Sequence, residues 1–254
     1  MINNLPSLPS LGMARLFPHA HYLTDEEKQH LQEGADGKVH VSFNGIFTPP
    51  EEAAVYAVQH AKDKNEPLYF VVFPQADSAI SELLVASYQK FMENNFWGLT
   101  NSTQEAKDLM YSYGNTGLHF DAHSRGSLTG FNMMNSFKQE GVNDVAGNTT
   151  ISFHGPAANV LAASGLLGYV SGGKQTTIGF YGHRFDVVSR LIGGNGYAYE
   201  TISAGSNWWT EWWRVIMNPI SSHTCLGDVG YKCRYDYGSS HREQFPLSKS
   251  WSKK

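Results

Sequence analysis

The order of apolar runs predicts an α/β fold, a mostly parallel sheet flanked by helices on both faces. Three observations carry this. Strand-like and helix-like segments alternate from residue 38 to about 183, the arrangement that yields a parallel sheet. The run PLYFVVFP (67–74) is almost unbroken in its apolar character and bracketed by prolines, as expected of a strand buried on both faces. TTISFHGP (149–156) and TTIGFYGH (176–183) each run from β-favouring residues into a glycine and a polar residue. In such sheets the strand carboxyl ends share one edge, so chemistry is expected in the loops that follow strands.

Residues 1–37, rich in Pro, Ser and charge, read as an irregular lead-in, and 38–254 as a single domain. Within the lead-in, TDEEKQHLQE (24–33) opens with a capping threonine and acids and predicts a short helix. KVHVSFNG (38–45) is the first strand, stopped by its glycine. PPEEAAVYAVQHAKD (49–63) starts with prolines and acids and lines up Ala53, Ala57 and Ala61, which predicts a helix. After the apolar strand 67–74, helices are expected over 78–94 and over 102–113, the latter with a capping box from Ser102 to Glu105. GLHFDAHS then reads as a strand and RGSLTGFNMMNSFKQ as a helix. A helix over 157–167 joins the last two parallel strands, and GYKC (230–233) is a candidate strand.

Composition narrows the function classes. Of 254 residues, 41% are hydrophobic and 17% charged, a globular balance. A net charge of −4 gives no reason to expect nucleic acid, which calls for clustered Lys and Arg. The basic tail residues Lys249, Lys253 and Lys254 read as an aid to solubility. No stretch of eighteen apolar residues occurs, and the first twenty residues lack the charged start and apolar core of a signal peptide. Cys225 and Cys233 either pair across a hairpin or stay reduced.

The chemistry concentrates in TGLHFDAHSRGSLTGF (116–131). Its centre, Ala122-His123-Ser124-Arg125-Gly126, is one residue away from G-x-S-x-G. A serine on a sharp strand-to-helix turn needs small flanking residues, and its hydroxyl stands above the sheet edge beside a helix N-terminus. Ser124 is therefore the candidate nucleophile, and a plain helix N-cap is the competing role. A serine needs a base, and the base an orienting acid, in the order Ser, acid, His on such a sheet. Asp186, in HRFDVV, and His223, in NPISSH, keep that order. Asp186 could also cap a helix over DVVSRLI. Asp228 is the rival acid and His241 the rival base, whereas His123 and His183 are expected to bond loop carbonyls. The oxyanion donors are expected from the amide of Arg125 and from the loop after the first strand, Gly45, Ile46 and Phe47. The alternative for Asn44-Gly45 is a simple strand-ending turn.

NGIF, AHSRGS, ISFHGPAAN, HRFDVV and SSHTCLGDVGY, in that order, resemble the α/β-hydrolase fold, and within it the class 3 lipases. The wording FDAHSRGSLT also resembles serine-hydrolase-like domains near the C-termini of very large bacterial haemagglutinin-like exoproteins, contact-dependent toxins among them. Over residues 38–233 the resemblance implies Ser124, Asp186 and His223 as a catalytic triad acting on a lipid or other ester, without metal or organic cofactor. It further implies secretion or delivery as part of a larger exoprotein, with a free cytoplasmic enzyme as the alternative, transient contact with a membrane surface and an immunity-type protein partner. Ala122 and Arg125 depart from the lipase pattern and leave the substrate open. A peptidase, amidase or thioesterase using the same site, or a binding domain without turnover, are the alternatives.

GSNWWTEWWRVIM (205–217) places Trp208, Trp209, Trp212 and Trp213 within two helical turns, with Glu211 and Arg214 off the centre of the aromatic stripe. Two readings follow: an apolar surface for lipid, since tryptophan suits interfaces, or a packed helix with a bulky core face.

Overall fold

A computed structural model describes residues 25–43, 57, 67–71, 101–198, 207–217, 223 and 249–252. In chain order the elements are α1 (Asp25–Lys28), β1 (Val39–Phe43), β2 (Leu68–Val71), α2 (Asn101–Tyr113), β3 (Leu118–His123), α3 (Arg125–Gln139), β4 (Thr149–His154), α4 (Val160–Val170), β5 (Thr177–Tyr181), a π-helical turn (Val188–Ile192), α5 (Trp208–Met217) and β6 (Lys249–Ser252). The six strands form one sheet in the order β2-β1-β3-β4-β5-β6. The first five are mutually parallel, and β6 runs antiparallel to β5. The α/β class and the parallel sheet expected from the alternating pattern are present.

Residue alternation divides the sheet into unlike faces. The register aligns Val41, Phe120, Ile151 and Ile178 across four strands, and Phe43, Ala122, Phe153 and Phe180 one step further along. These side chains are all buried, in one cluster with Met110 of α2, Leu128, Met133, Met134 and Phe137 of α3, and Leu167 and Val170 of α4. Helices α2, α3 and α4 pack side by side, so they form one layer over this apolar face. The other face carries His40 and Ser42 from β1, His119, Asp121 and His123 from β3, Thr150, Ser152 and His154 from β4, and Tyr181 from β5.

Several sequence expectations shift here. Helices were expected on both faces; among the described residues, α2 to α4 share the apolar face. The stretches read as helices over 49–63 and 78–94 lie outside the described residues apart from Ala57, which is helical and buried. β2 stands at the end of the sheet, and its first half, Leu68 and Tyr69, is only half-buried; apolar character alone does not distinguish an edge strand from a central one. Helix α2, described over Asn101–Tyr113, covers the expected 102–113, and the side chain of Ser102 lies outside what is described. Asn159 caps α4 by accepting the Ala162 N–H at 2.9 Å, which moves that helix to 160–170 from the expected 157–167. The helix weighed as an alternative after Asp186 is a single π turn. Lys249–Ser252, read as part of a solubilising tail, is a strand. The candidate strand 230–233 lies outside the described residues. Among those described, no helix is long and apolar enough to cross a membrane.

Candidate active site

The turn between β3 and α3 is built around Ser124. Its backbone has φ 53° and ψ −118°, and the only other non-glycine residue with positive φ among those described is Asp144. A β-carbon in that region costs about 1–3 kcal/mol and persists only where neighbours impose it. Four hydrogen bonds do so. The Ser124 N–H donates to the His154 carbonyl (2.9 Å), while the Ser124 carbonyl accepts from the Ser127 N–H (3.1 Å), the Ser127 Oγ–H (2.6 Å) and the Ala157 N–H (3.3 Å). The small neighbours expected at the turn have a steric reason. A β-carbon on Gly126 would stand 2.4 Å from the Phe43 carbonyl oxygen, and Ala122 is fully buried between β1 and β4. Ser124 occupies the N-cap position of α3, yet its hydroxyl makes no capping bond. The buried Oγ has no hydrogen-bond partner among the described residues.

Asp186 lies in the loop after β5 and is fully buried. Its Oδ1 accepts the N–H groups of Val188 (3.0 Å) and Ser189 (3.1 Å), so it caps the π turn. The same oxygen lies 3.0 Å from His223 Nδ1. The two roles weighed for Asp186, cap and partner of a histidine, coexist on one oxygen. With Nδ1–H donated to the carboxylate, the His223 Nε2 is left with a free lone pair; it is buried and has no hydrogen-bond partner among the described residues. The His223 ring lies against that of His123, centroids 4.9 Å apart and tilted by 30°. His123 Nε2–H donates to the His223 carbonyl at 3.3 Å. Because His123 directly precedes Ser124, the pair Asp186–His223 is held at the serine turn. Ser124 Oγ and His223 Nε2 are not hydrogen-bonded to each other.

The remaining expected residues divide. His123 bonds the carbonyl of His223, a helical residue rather than the loop expected, whereas His183 accepts the Phe185 N–H at its Nδ1 (3.1 Å). Arg125 is the first residue of α3, with its amide beside Ser124. Gly45, Ile46, Phe47, Asp228, His241, Cys225 and Cys233 lie outside the described residues.

Helix α5 is capped by Asn207, whose Oδ1 accepts the Thr210 N–H (3.0 Å) while the Thr210 Oγ accepts the Asn207 N–H (2.9 Å), a reciprocal cap. Trp208, Trp209 and Trp213 are 42%, 76% and 67% exposed, and Met217 extends the apolar face. Trp212 turns inward and meets Phe185, one residue before Asp186, edge-on at 5.5 Å. Glu211, expected beside the stripe, is fully buried because it shares the inward side with Trp212. The four tryptophans thus split into three exposed rings and one anchor.

Asp121 and His154 are site-adjacent residues that the motif reading passed over; the alternation of L-H-F-D-A-H, apolar at every second position, is the signal that sets Asp121 on the polar face. Comparison with protein-family models, curated proteins and solved structures finds no match to this chain.

Proposed function

We propose that the chain is a serine hydrolase of the α/β-hydrolase type that cleaves carboxylic esters, with lipid or phospholipid acyl esters as substrate. The observation that carries this is the strained Ser124, with its buried unbonded hydroxyl, together with an imidazole that packs on the ring of the preceding His123 and whose Nδ1 is tied to a fully buried carboxylate. Strain of this kind is retained where a side chain has to be presented rather than packed. In the proposed reaction Ser124 Oγ attacks the acyl carbon as His223 Nε2 takes its proton. The resulting imidazolium is stabilised by Asp186 through Nδ1–H. The proton then passes to the leaving alkoxide oxygen, the C–O ester bond breaks, and a water activated by the same nitrogen hydrolyses the acyl-serine. The Arg125 amide and the 45–47 loop are the proposed donors to the oxyanion. The three exposed tryptophans of α5, joined to the Asp186 loop through Trp212, favour a substrate presented at a lipid surface.

A fluorophosphonate probe and p-nitrophenyl esters of graded chain length test this. Labelling of Ser124 and hydrolysis abolished by Ser124→Ala are expected. Hydrolysis that survives Ser124→Ala overturns the assignment, and absence of labelling on the folded protein favours a binding domain.

A further inference from the structure

The face of the sheet opposite the helices holds a buried ionic arrangement that the proposed chemistry does not use. Asp121, three residues before Ser124 on β3, is 7% exposed, and each of its oxygens meets an imidazole. Oδ1 accepts from His154 Nε2 at 3.0 Å, and Oδ2 lies 3.2 Å from His119 Nε2. The ionised Asp121 Oδ2 can only accept, so His119 carries a proton on Nε2; Thr150 Oγ1, which accepts from Lys38 Nζ (3.2 Å), lies at His119 Nδ1 (2.8 Å). Burial alone would push the Asp121 carboxyl up; the contacts from His119 and His154 outweigh it and hold the group well below the usual carboxylate range.

His154 is the last residue of β4, and its backbone is what the serine turn hangs on. Its carbonyl accepts the Ser124 N–H, and the Gly155 N–H after it donates to the Tyr181 carbonyl at 2.8 Å. Its ring stacks on Tyr181, centroids 4.6 Å apart and 12° from parallel. The side chain of His154 is therefore fixed from two sides, by Asp121 on β3 and by Tyr181 on β5, while its main chain holds Ser124.

We propose that Asp121 and His154 are positioning residues for Ser124: the carboxylate–imidazole bridge clamps the end of β4 to β3 and so aims the carbonyl that keeps the serine at positive φ. This deepens the hydrolase reading, on which its catalytic meaning rests. The clamp itself is a statement about backbone geometry and is tested separately.

The test compares His154→Phe, which keeps a ring on Tyr181 but cannot donate, with His154→Gln, which restores a donor. Hydrogen exchange of the Ser124 amide in the full chain is read by NMR, with the Phe120 and Ile151 amides of the sheet as internal reference. In His154→Phe the protection of the Ser124 amide should fall about tenfold relative to those two amides, the worth of one lost hydrogen bond, and His154→Gln should recover most of it. If His154→Phe does not fold, Asp121→Ala removes the acceptor instead, with the same fall expected. Unchanged relative protection in the folded variant overturns the proposal. Fluorophosphonate labelling of the same samples is expected to drop about a hundredfold in step with the exchange, as for a nucleophile misplaced by an ångström. Altered exchange in the variants without any labelling of the wild type would leave the clamp standing and remove the hydrolase reading.

Discussion

Gly126→Ala offers a quantitative test of how tightly the serine turn is built. The added β-carbon would meet the Phe43 carbonyl oxygen at 2.4 Å, its carbon at 2.7 Å and the Phe43 β-carbon at 2.8 Å. Two of these are main-chain atoms of β1, which cannot rotate aside. Reaching an ordinary contact of about 3.4 Å asks α3 and β1 to part by roughly 1 Å. Forced separation in a packed core costs about 1–3 kcal/mol, or roughly 2–4 °C in Tm per kcal/mol for a chain of this size. The natural control is Gly130→Ala, one turn along the same helix, where the β-carbon would meet the Phe153 ring at 3.6 Å, an ordinary contact. Replacing a helical glycine there should stabilise by up to about 1 kcal/mol. Urea denaturation of both variants checks the opposite signs, and ester turnover should fall about a hundredfold only in Gly126→Ala. Equal stability changes, or a Gly126→Ala protein as stable as the parent, would refute the account of the turn.

Three further outcomes follow. Asp186→Asn keeps an oxygen for the Val188 and Ser189 amides but loses the charge that fixes the His223 tautomer; turnover should fall about 10³–10⁴-fold with the thermal transition nearly unmoved. Because the folded-state pKa of Asp121 is depressed, its contribution to stability is complete above the unfolded value of about 3.9 and drains away as pH falls below it. Asp121→Asn should therefore lessen the loss of stability below pH 4 by up to about 1.4 kcal/mol per pH unit, as urea titrations at stepped pH would record. Trp209→Ala and Trp213→Ala, at exposed positions, should shift stability by less than about 0.5 kcal/mol. They should lower turnover on vesicle-borne esters while sparing short soluble ones. Trp212→Ala, which uncovers Phe185, should cost about 2 kcal/mol.

How much the sequence disclosed depends on the reach of the interaction. The strand, turn and helix around Ser124 were legible because the requirements are local: alternation in L-H-F-D-A-H, small residues at 122 and 126, then a helical period. Asp186 was legible as a cap for the same reason, since its capping bonds lie two and three residues ahead; as partner of His223, 37 residues away, it was chosen by chain order alone. His223 was chosen only by its place in the chain order, and its ring packing on His123 spans 100 residues, which no local pattern encodes. The π turn, the inward Glu211 and the strand at 249–252 escaped because each is decided by what a distant segment packs against. The Asp121–His154 clamp was visible only as two polar residues in adjacent strands, and pairing them requires the register of β3 on β4.

The short strand at 249–252 has a practical bearing on any work with this protein. It satisfies the outer main-chain groups of β5, the strand that leads into the loop of Asp186. Trimming the sequence before Lys249, as one would a dispensable basic tail, would leave that row of amides and carbonyls open to another molecule. A shortened preparation would then both self-associate and lose rigidity under its carboxylate, two failures easily mistaken for a defect of the site itself.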